Sequence, residues 1–268
     1  MANSRLEKER EFHDRWAAET ETESIRIREA FEAPTALENQ FILSRLGDLR
    51  GRRILDIGAG LCESSVYFAL QGAHVTATDL SPEMLLKGQE LARNFGTSIE
   101  AIAADAEQFD SLPGNWEIIY CANTLHHLHQ RKEFLKTCHQ LLAPGGIFVT
   151  WDLVAYNPVI NVYRHLAMDV RTADEAPLTT EDLALIKETF HSVETRFFWL
   201  LTLVLFLKYF LIDRLNPGKT RYWKEIYRES PETLWWWMPL RRIDRVFTQI
   251  PLIRWLAWNL VTVARKAP

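Results

Sequence analysis

Short apolar runs alternate with amphipathic stretches through much of the chain. The lengths of the runs, and the Gly, Pro and acidic residues that bound them, predict β-strands. Between them, apolar residues such as Met84, Leu85 and Leu91 recur at helical spacing. Strands are predicted at 53–57, 73–78, 98–103, 116–121, 147–151, 192–199 and 258–264. Because helices alternate with strands, the pattern predicts an α/β fold, a parallel sheet with helices on both faces.

Capping residues indicate where several helices begin and end. Ser81 suits the N-cap and Pro82 the first turn of a helix that reaches about residue 94. Other helices are predicted at 36–46, 131–142 and 179–190, and one or two surface helices within the charge-rich residues 4–31. The sequence Pro144–Gly145–Gly146 predicts a turn before the fifth strand.

The first predicted strand runs directly into a glycine turn, Gly58–Ala59–Gly60. A buried strand that turns into a helix through glycines brings backbone N–H groups close to a ligand. The next two strands end beside acids, Asp79 and Asp105. Ligands of open α/β sheets bind beyond the carboxyl ends of the strands, so this pattern predicts a binding site there.

The residues after the turn exclude some nucleotides. Asp79 lies 21 residues after Gly58, near the spacing of a ribose-binding acid in dinucleotide-binding proteins. However, the third glycine of that fingerprint would fall at Glu63, whose carboxylate repels pyrophosphate, and no Arg or Lys nearby in the sequence offsets it. No GK[ST] follows the turn, which excludes a P-loop. A nucleoside without a phosphate chain, and with a positive charge, fits better.

Four ordered motifs resemble those of a known family. They are LDIGAG at 55–60, ATDLSPEML at 77–85, ADA at 104–106 and LAPGG at 142–146. Together they resemble the class I S-adenosylmethionine-dependent methyltransferases of small-molecule type, over about residues 35–155. Cys62 stands where that family has a third glycine.

The resemblance implies S-adenosylmethionine as the cofactor and a doubly wound, seven-stranded, mostly parallel sheet with strand 7 antiparallel between strands 5 and 6. The cofactor-binding residues that it implies are Asp56, Gly58, Ala59, Gly60, Asp79, Leu80, Met84, Asp105, Ala106 and Asn123.

The implied roles agree with the chemistry of the side chains. Gly60, with Gly58, would let the backbone approach the methionine part of the cofactor, where Asp56 supports the loop. Asp79 would accept hydrogen bonds from both ribose hydroxyls. Leu80 and Met84 would pack on the adenine face. The adenine amino group would donate to Asp105, near the N–H of Ala106, although capping of neighbouring backbone is an alternative role for Asp56 and Asp105.

The segment Leu125–His126–His127–Leu128 follows strand 4, where the loop of the resembled family borders both methyl donor and acceptor. His126 or His127 could act as a general base, because histidine titrates in the useful range. The alternative is a structural turn, and His129 is expected to face solvent. No metal site is predicted, because these residues lack a paired-carboxylate spacing and Asp152 stands alone after strand 5.

Charge and tryptophan are distributed unevenly. Residues 196–268 carry 13 Lys and Arg against 5 Asp and Glu, a balance of +8, and 7 of the 10 tryptophans. Residues 1–195 carry 18 against 30, a balance of −12. Three scattered cysteines and a charged N-terminus without a signal-peptide core favour a reducing, cytoplasmic location.

We expect a single domain, 1–268, in which residues 47–155 form the cofactor-binding core. Residues 1–46 form N-terminal helices and a lid, and 156–268 form the acceptor side with a hydrophobic helical insertion at 200–257. By analogy, the segment that contains Tyr156, Tyr163, Arg164, His165 and Arg171 contributes to acceptor binding, although most of these residues are expected to be ordinary helix-face residues. The insertion, with its apolar run and its Trp beside Arg and Lys, could line an acceptor pocket, touch a membrane as a peripheral protein, form a dimer interface or bind RNA.

The expected function is methyl transfer from S-adenosylmethionine to a hydrophobic small molecule, lipid-, quinone- or polyketide-like. The alternatives are a non-catalytic scaffold that keeps the fold, and an RNA methyltransferase. Nucleic acid is not favoured, because the clustered aliphatic residues suit it poorly and residues 123–126 read NTLH where amino-group methyltransferases of nucleic acids have (N/D)PP(Y/F). The sequence leaves open the methylated atom and the oligomeric state.

Overall fold

The computed structural model describes residues 2–109, 112–167, 175–232 and 234–268, so Arg171 of the expected acceptor segment lies outside the described residues. The strands are β1 (Arg53–Ile57), β2 (His74–Asp79), β3 (Glu100–Ala103), β4 (Trp116–Ala122), β5 (Leu142–Leu153), β6 (Ser192–Phe198) and β7 (Asn259–Arg265). The helices are α1 (Ala2–Glu19), α2 (Ile27–Glu32), α3 (Leu37–Leu46), α4 (Glu63–Leu70), α5 (Pro82–Asn94), α6 (Arg131–Leu141), α7 (Pro158–Leu166), α8 (Thr180–Thr189), α9 (Val204–Leu211), α10 (Tyr222–Glu225) and α11 (Trp237–Phe247).

The strands form one seven-stranded sheet in the order β3-β2-β1-β4-β5-β7-β6. Neighbours from β3 to β5 pair in parallel, whereas β7 is antiparallel to both β5 and β6. The predicted fold class is therefore confirmed. The strand order reverses between β1 and β4, and the carboxyl ends at this reversal are where ligands bind in such sheets.

Alternating side chains of the central strands fill two apolar layers, one on each face of the sheet. Ile54 and Ile118 belong to the layer that includes residues of α2 to α5. Leu55 and Ile119, their chain neighbours, belong to the layer that includes residues of α6 and α8. Both faces of the sheet are thus covered, as the apolar runs predicted.

The fifth strand differs from its prediction, because it begins at Leu142 and includes the sequence expected to form a turn. Pairing with β4 shifts register after Trp116, which accommodates the irregular segment. The N–H of Gly145 donates to the carbonyl of Ala267, and the carbonyl of Gly146 accepts from the N–H of Lys266. Residues distant in sequence therefore supply the partners that extend the strand.

The entry into α4 shows how the chain tolerates the missing third glycine. Cys62 adopts a left-handed backbone conformation, with φ of 57°, which glycine adopts more easily. Its side chain is fully buried against α5. A Cβ atom at Gly88 of α5 would lie 2.3 Å from the Cys62 sulfur, so Gly88 provides the space for this thiol.

Residues 200–257 are largely helical, as expected, and α11 is anchored through polar residues. The buried carboxylate of Asp244 accepts hydrogen bonds from the N–H groups of residues 200, 201 and 202 at 2.7–3.1 Å. Arg241 donates to the Pro34 carbonyl at 3.3 Å and to Gln40.

The opposite face of α11 carries apolar residues that are exposed. They are Ile243, Val246 and Phe247, and Ile250 continues this i, i+3, i+4, i+7 spacing just after the helix. Arg242 and Arg245 are exposed beside them. Surface helices of globular proteins show the reverse arrangement, with their apolar stripe buried. Within the described ranges, no helix is both long enough and apolar enough to cross a bilayer.

Candidate functional site

A cavity of about 340 Å³ lies at the carboxyl ends of the strands around the sheet reversal. This volume falls in the range of roughly 300–1,000 Å³ for small-molecule sites. Its wall combines α1, the glycine turn after β1, the loop after β4, α7 and residues 223–227 of the insertion. The cavity thus joins elements far apart in the sequence.

Eleven of the twelve side chains or backbone positions predicted for the site line this cavity. They are Asp56, Gly58, Ala59, Gly60, Asp79, Leu80, Asp105, Ala106, Asn123, His126 and His127. Met84 is absent from the lining, because it is fully buried and packs with Ala17 of α1 and Leu61. The predicted adenine contact of Met84 therefore lacks a surface through which to form.

The glycine turn is shaped by close contacts on one side and open space on the other. A Cβ atom at Gly58, whose φ is 68°, would lie 2.2 Å from the Thr124 hydroxyl oxygen. At Gly60, with φ of 53°, a Cβ atom would meet nothing within 4 Å. The N–H of Gly60 donates to Asp79 at 2.8 Å, and the N–H of Ser81 donates to the other oxygen of that carboxylate at 2.9 Å. This geometry fixes Asp79 beside an open backbone cradle.

The other two predicted acids have local partners. The hydroxyl of Ser65 donates to Asp56 at 2.6 Å, and burial raises the pKa of Asp56 to about 7. The N–H of Glu107 donates to Asp105 at 2.8 Å, so Asp105 caps the turn that follows β3. Both carboxylates line the cavity as well as supporting neighbouring backbone.

His126 is paired with Asp152, for which the sequence predicted no partner. The Nδ1 atom of His126 lies 2.7 Å from a carboxylate oxygen of Asp152, and both side chains are buried. The His126 backbone N–H and the Thr150 hydroxyl also donate to this carboxylate. The prediction that Asp152 stands alone is therefore wrong. It lies in β5, directly beside the loop after β4.

Burial determines the charge of this pair. It lowers the pKa of His126 well below the usual value, so the imidazole is neutral at neutral pH. Burial raises the pKa of Asp152, and its hydrogen bonds oppose that rise. A neutral ring that donates from Nδ1 to Asp152 keeps its Nε2 lone pair available to accept a proton. His129, in contrast, is exposed, as predicted.

A family model described as a methyltransferase domain matches residues 54–146. The ubiquinone biosynthesis O-methyltransferase of Xylella fastidiosa is 34% identical over 110 residues, which are 40% of this chain and 45% of that protein. The Pseudomonas aeruginosa (strain UCBPP-PA14) protein of the same name is 30% identical over 99 residues, 37% of this chain and 43% of that protein. The chain spans less than half the length of either relative.

The family-model match identifies a methyltransferase domain within residues 54–146 of this chain. Magnesium protoporphyrin IX methyltransferase from Synechocystis PCC 6803, solved with bound SAH, has a TM-score of 0.54 to it at 14% identity, covering 87% of this chain and 83% of that chain. This similarity shows the fold.

Several residues that line the cavity were not predicted from the sequence. From α1 and the insertion they are Arg5, Leu6, Glu9, Phe12, His13, Trp16, Trp223, Lys224, Ile226 and Tyr227. Lys224, 161 positions from Glu63 in the sequence, forms an ion pair with it, so a cation that is not nearby in the sequence offsets this carboxylate. The alternation of charged and aromatic residues in 4–16 was the signal that could have indicated a helix facing a polar cavity.

One further cluster in the cavity wall combines three potential metal ligands. One ring nitrogen each from His126 and His127 and a carboxylate oxygen of Glu175 lie within 4.8 Å of one another. Glu175 also pairs with Arg164 at 3.2 Å. The absence of a metal site, which the sequence predicted, therefore stays a prediction.

Proposed function

We propose that this chain transfers a methyl group from S-adenosylmethionine to a hydroxyl group of a hydrophobic small molecule. The observation that carries the proposal is that His126, held by Asp152 from behind, lies in the wall of the cavity that the glycine turn and Asp79 also line. Methyl transfer to a hydroxyl requires removal of a proton, and a neutral buried imidazole can accept it. The cavity therefore combines a donor site with a base.

S-adenosylmethionine supplies the methyl group on a positively charged sulfonium. The open space at Gly60 fits a ligand that lies close to the backbone. Asp79 keeps lone pairs beyond its two backbone donors, so it could accept from the ribose hydroxyls. Asp56, Leu80, Asp105, Ala106 and Asn123 complete the cofactor-binding set in this proposal, together with Gly58 and Ala59.

The reaction depends mainly on alignment in a cavity that excludes water. Asp152 holds the ring of His126 through Nδ1, which fixes the tautomer with an unprotonated Nε2. The acceptor hydroxyl gives its proton to this nitrogen, and its oxygen becomes the nucleophile. A carboxylate that is itself held by Thr150 and by backbone keeps the base in one orientation.

Aromatic side chains support a hydrophobic acceptor. Those in the cavity wall include Trp151, Tyr163, Trp223, Tyr227 and Trp258. The relatives named for ubiquinone biosynthesis are consistent with a quinone-like or phenolic acceptor. The proposal includes the expected division of the chain, with residues 1–46 as a lid, 47–155 for the cofactor and 156–268 for the acceptor.

We also propose that the insertion contacts a membrane that holds the acceptor. The exposed apolar face of α11 and its flanking Arg242 and Arg245 suit an interfacial helix on anionic lipid. The single acid of α11, Asp244, is buried under the opposite face, so it does not repel such a surface.

Formation of S-adenosylhomocysteine from S-adenosylmethionine in the presence of a cell lipid extract tests the function. We expect His126→Gln to lower turnover by roughly 10²- to 10⁴-fold, the usual contribution of a general base. His129→Gln, a change to an exposed histidine of the same loop, is the control and should keep wild-type turnover. Absence of turnover in wild type, with cofactor bound, would favour a scaffold. Wild-type turnover in His126→Gln would exclude this base.

A further inference from the structure

Two adjacent histidines of the cavity wall are each held by a carboxylate, and the two carboxylates come from opposite ends of the site. Asp152 of β5 holds His126, and Glu9 of α1 holds His127, whose Nδ1 lies 3.0 Å from a Glu9 oxygen. The two imidazole rings lie side by side, with centroids 4.2 Å apart. All of these groups except Asp152 line the cavity.

The two pairs differ in charge. Burial lowers the pKa of His126 well below its usual value. Burial also opposes protonation of His127, but the hydrogen bond and the charge of Glu9 outweigh it and raise the pKa of His127. The pKa of Glu9 is lowered by His127 despite the burial of its carboxyl. A ring that burial keeps neutral thus lies next to a ring whose protonated form is favoured by Glu9.

Charged and titratable groups from several elements face His127. The acids are Glu9, Glu175 and Asp152, and the other charged or titratable neighbours are Arg5, His13, His126 and Arg164. The Glu9 carboxylate lies 3.0 Å from Nδ1 of the His127 ring, and its hydrogen bond is the largest of the effects that raise the pKa of His127. Glu9 is therefore the group whose removal changes the ring most directly.

We propose that Glu9 is a positioning residue for the reaction: it holds His127 as an imidazolium beside His126, where this positive charge stabilises the negative charge that develops on the acceptor oxygen. This inference rests on the proposed function. It makes a residue of the N-terminal helix part of the chemistry, in addition to any role of that helix as a cover.

The two histidines then have complementary tasks in one step. The acceptor O–H bond breaks and its proton goes to Nε2 of His126. The oxygen forms a bond to the methyl carbon, and the carbon–sulfur bond breaks with its electron pair on sulfur. Negative charge develops on the oxygen as its proton leaves. A fixed cation in a buried site stabilises this charge more than a cation in water does. His127 supplies that cation without giving up its proton.

Other contacts hold α1 in place independently of Glu9. Arg5 donates to the backbone carbonyl of His127 at 2.9 Å, and the Ser81 hydroxyl donates to Asp14 at 2.5 Å. The guanidinium of Arg221 lies 4.2 Å from the ring centroid of Trp16. Loss of the Glu9 charge should therefore leave the helix docked, which separates a positioning role from a structural one.

Glu9→Gln tests the proposal, because it keeps the size of the side chain and removes its charge. We expect kcat to fall about tenfold or more, with the affinity for S-adenosylmethionine within about twofold of wild type. In an NMR titration, the pKa of His127 should fall. Glu11→Gln, on the exposed side of the same helix, is the matched control and should match wild type in all three measurements.

The results that contradict the proposal are distinct from failure of the proposed function. An active wild type with unchanged kcat in Glu9→Gln would overturn the role of Glu9. A loss confined to cofactor affinity, together with a lower melting temperature, would also overturn it, because Glu9 would then only hold the helix. An inactive wild type would instead overturn the proposed function on which the inference depends.

Discussion

His126 and Asp152 are 26 positions apart in the chain, yet the ring Nδ1 of the first lies 2.7 Å from the carboxylate of the second. The loop after β4 and the end of β5 are adjacent because these strands pair in parallel. The pair is buried, so its charge state is set by the protein and not by solvent. This relationship determines how the rate should depend on the pair and on pH.

Asp152→Asn should lower kcat by about tenfold or more while leaving cofactor affinity unchanged, because the amide no longer favours one orientation of the His126 ring. Steady-state kinetics and calorimetric titration with S-adenosylmethionine measure the two effects.

The lowered pKa of His126 means that the base stays unprotonated as pH falls through 6.5. In wild type, protonation of His126 should therefore lower kcat/KM only below that pH. Protonation of Asp152, whose pKa burial raises to about 7, can add a decline near that pH, so only a decline centred well above pH 7 would argue against His126 as the base.

Asp79→Asn should weaken binding of S-adenosylmethionine at least tenfold. The change removes the charge that strengthens hydrogen bonds from ribose hydroxyls, and it turns an amide N–H₂ toward the N–H of Gly60 or Ser81. Titration calorimetry gives the affinity, and thermal unfolding reports any loss of folding. Asp48→Asn, an exposed acid before β1, should bind normally. Wild-type affinity in Asp79→Asn would contradict the proposed cofactor site.

Val246→Asp should reduce flotation of the protein with vesicles that contain anionic lipid. Val246 is 62% exposed on the apolar face of α11, and a carboxylate there opposes both apolar contact and the negative surface. Leu86→Asp, at a residue of α5 that is 56% exposed, introduces the same change elsewhere and should float like wild type. High salt should weaken wild-type flotation. Equal flotation of both variants and wild type would contradict contact through α11.

Glu38→Gln should stabilise the protein more at pH 8 than at pH 5. Burial raises the pKa of Glu38 to about 7, so the folded state holds a proton that the unfolded state loses above about pH 4.5. The wild-type stability that comes from this group is complete below pH 4.5 and is lost as pH rises through 7, by roughly 3 kcal/mol. Gln keeps an acceptor for Asn259, whose amide donates to Glu38 at 2.6 Å. Denaturant unfolding at both pH values measures the difference.

Glu188→Gln, on the exposed side of α8, is the control for this measurement. It should change stability equally at both pH values. A constant effect of Glu38→Gln across the same range would show that the carboxyl of Glu38 titrates normally.

Treatment with a chelator should leave turnover within about twofold of its initial value. Both histidine rings of the three-residue cluster have Nδ1 beside a carboxylate, and Glu175 pairs with Arg164, which opposes the approach of a cation. The assay compares chelated enzyme with the same sample after Mg²⁺ or Zn²⁺ is restored. Loss of turnover that either ion reverses would make His126, His127 and Glu175 metal ligands in place of a base and its partner.

The sheet and the cofactor side of the cavity could be predicted because their signals are local in sequence. Gly58, Gly60 and Asp79 each follow a strand whose apolar run is readable, and Ser81 caps α5 as expected, accepting from the N–H of Met84. The predicted contact of Met84 with the cofactor lacks support because α1 packs on the start of α5. The Met84 side chain therefore contacts Ala17 and not the cavity. A helix position does not reveal which neighbour covers it.

The pairings that complete the site could not be read from sequence. Glu9 with His127 and Lys224 with Glu63 join segments whose separation in the chain carries no pattern. Both depend on how α1 and the insertion dock on the sheet, which is a consequence of tertiary packing. The extension of β5 depends likewise on residues 266 and 267.

The position of β7 between β5 and β6 links the insertion to formation of the sheet. In the described sheet, β6 pairs only with β7, and residues 200–257 separate the two strands. Pairing of these two strands must overcome the closure entropy of that long connection, and packing of the insertion helps to offset this entropy. Changes made in the insertion to alter the acceptor will therefore also change the fraction of folded protein, and their rates should be compared per folded molecule.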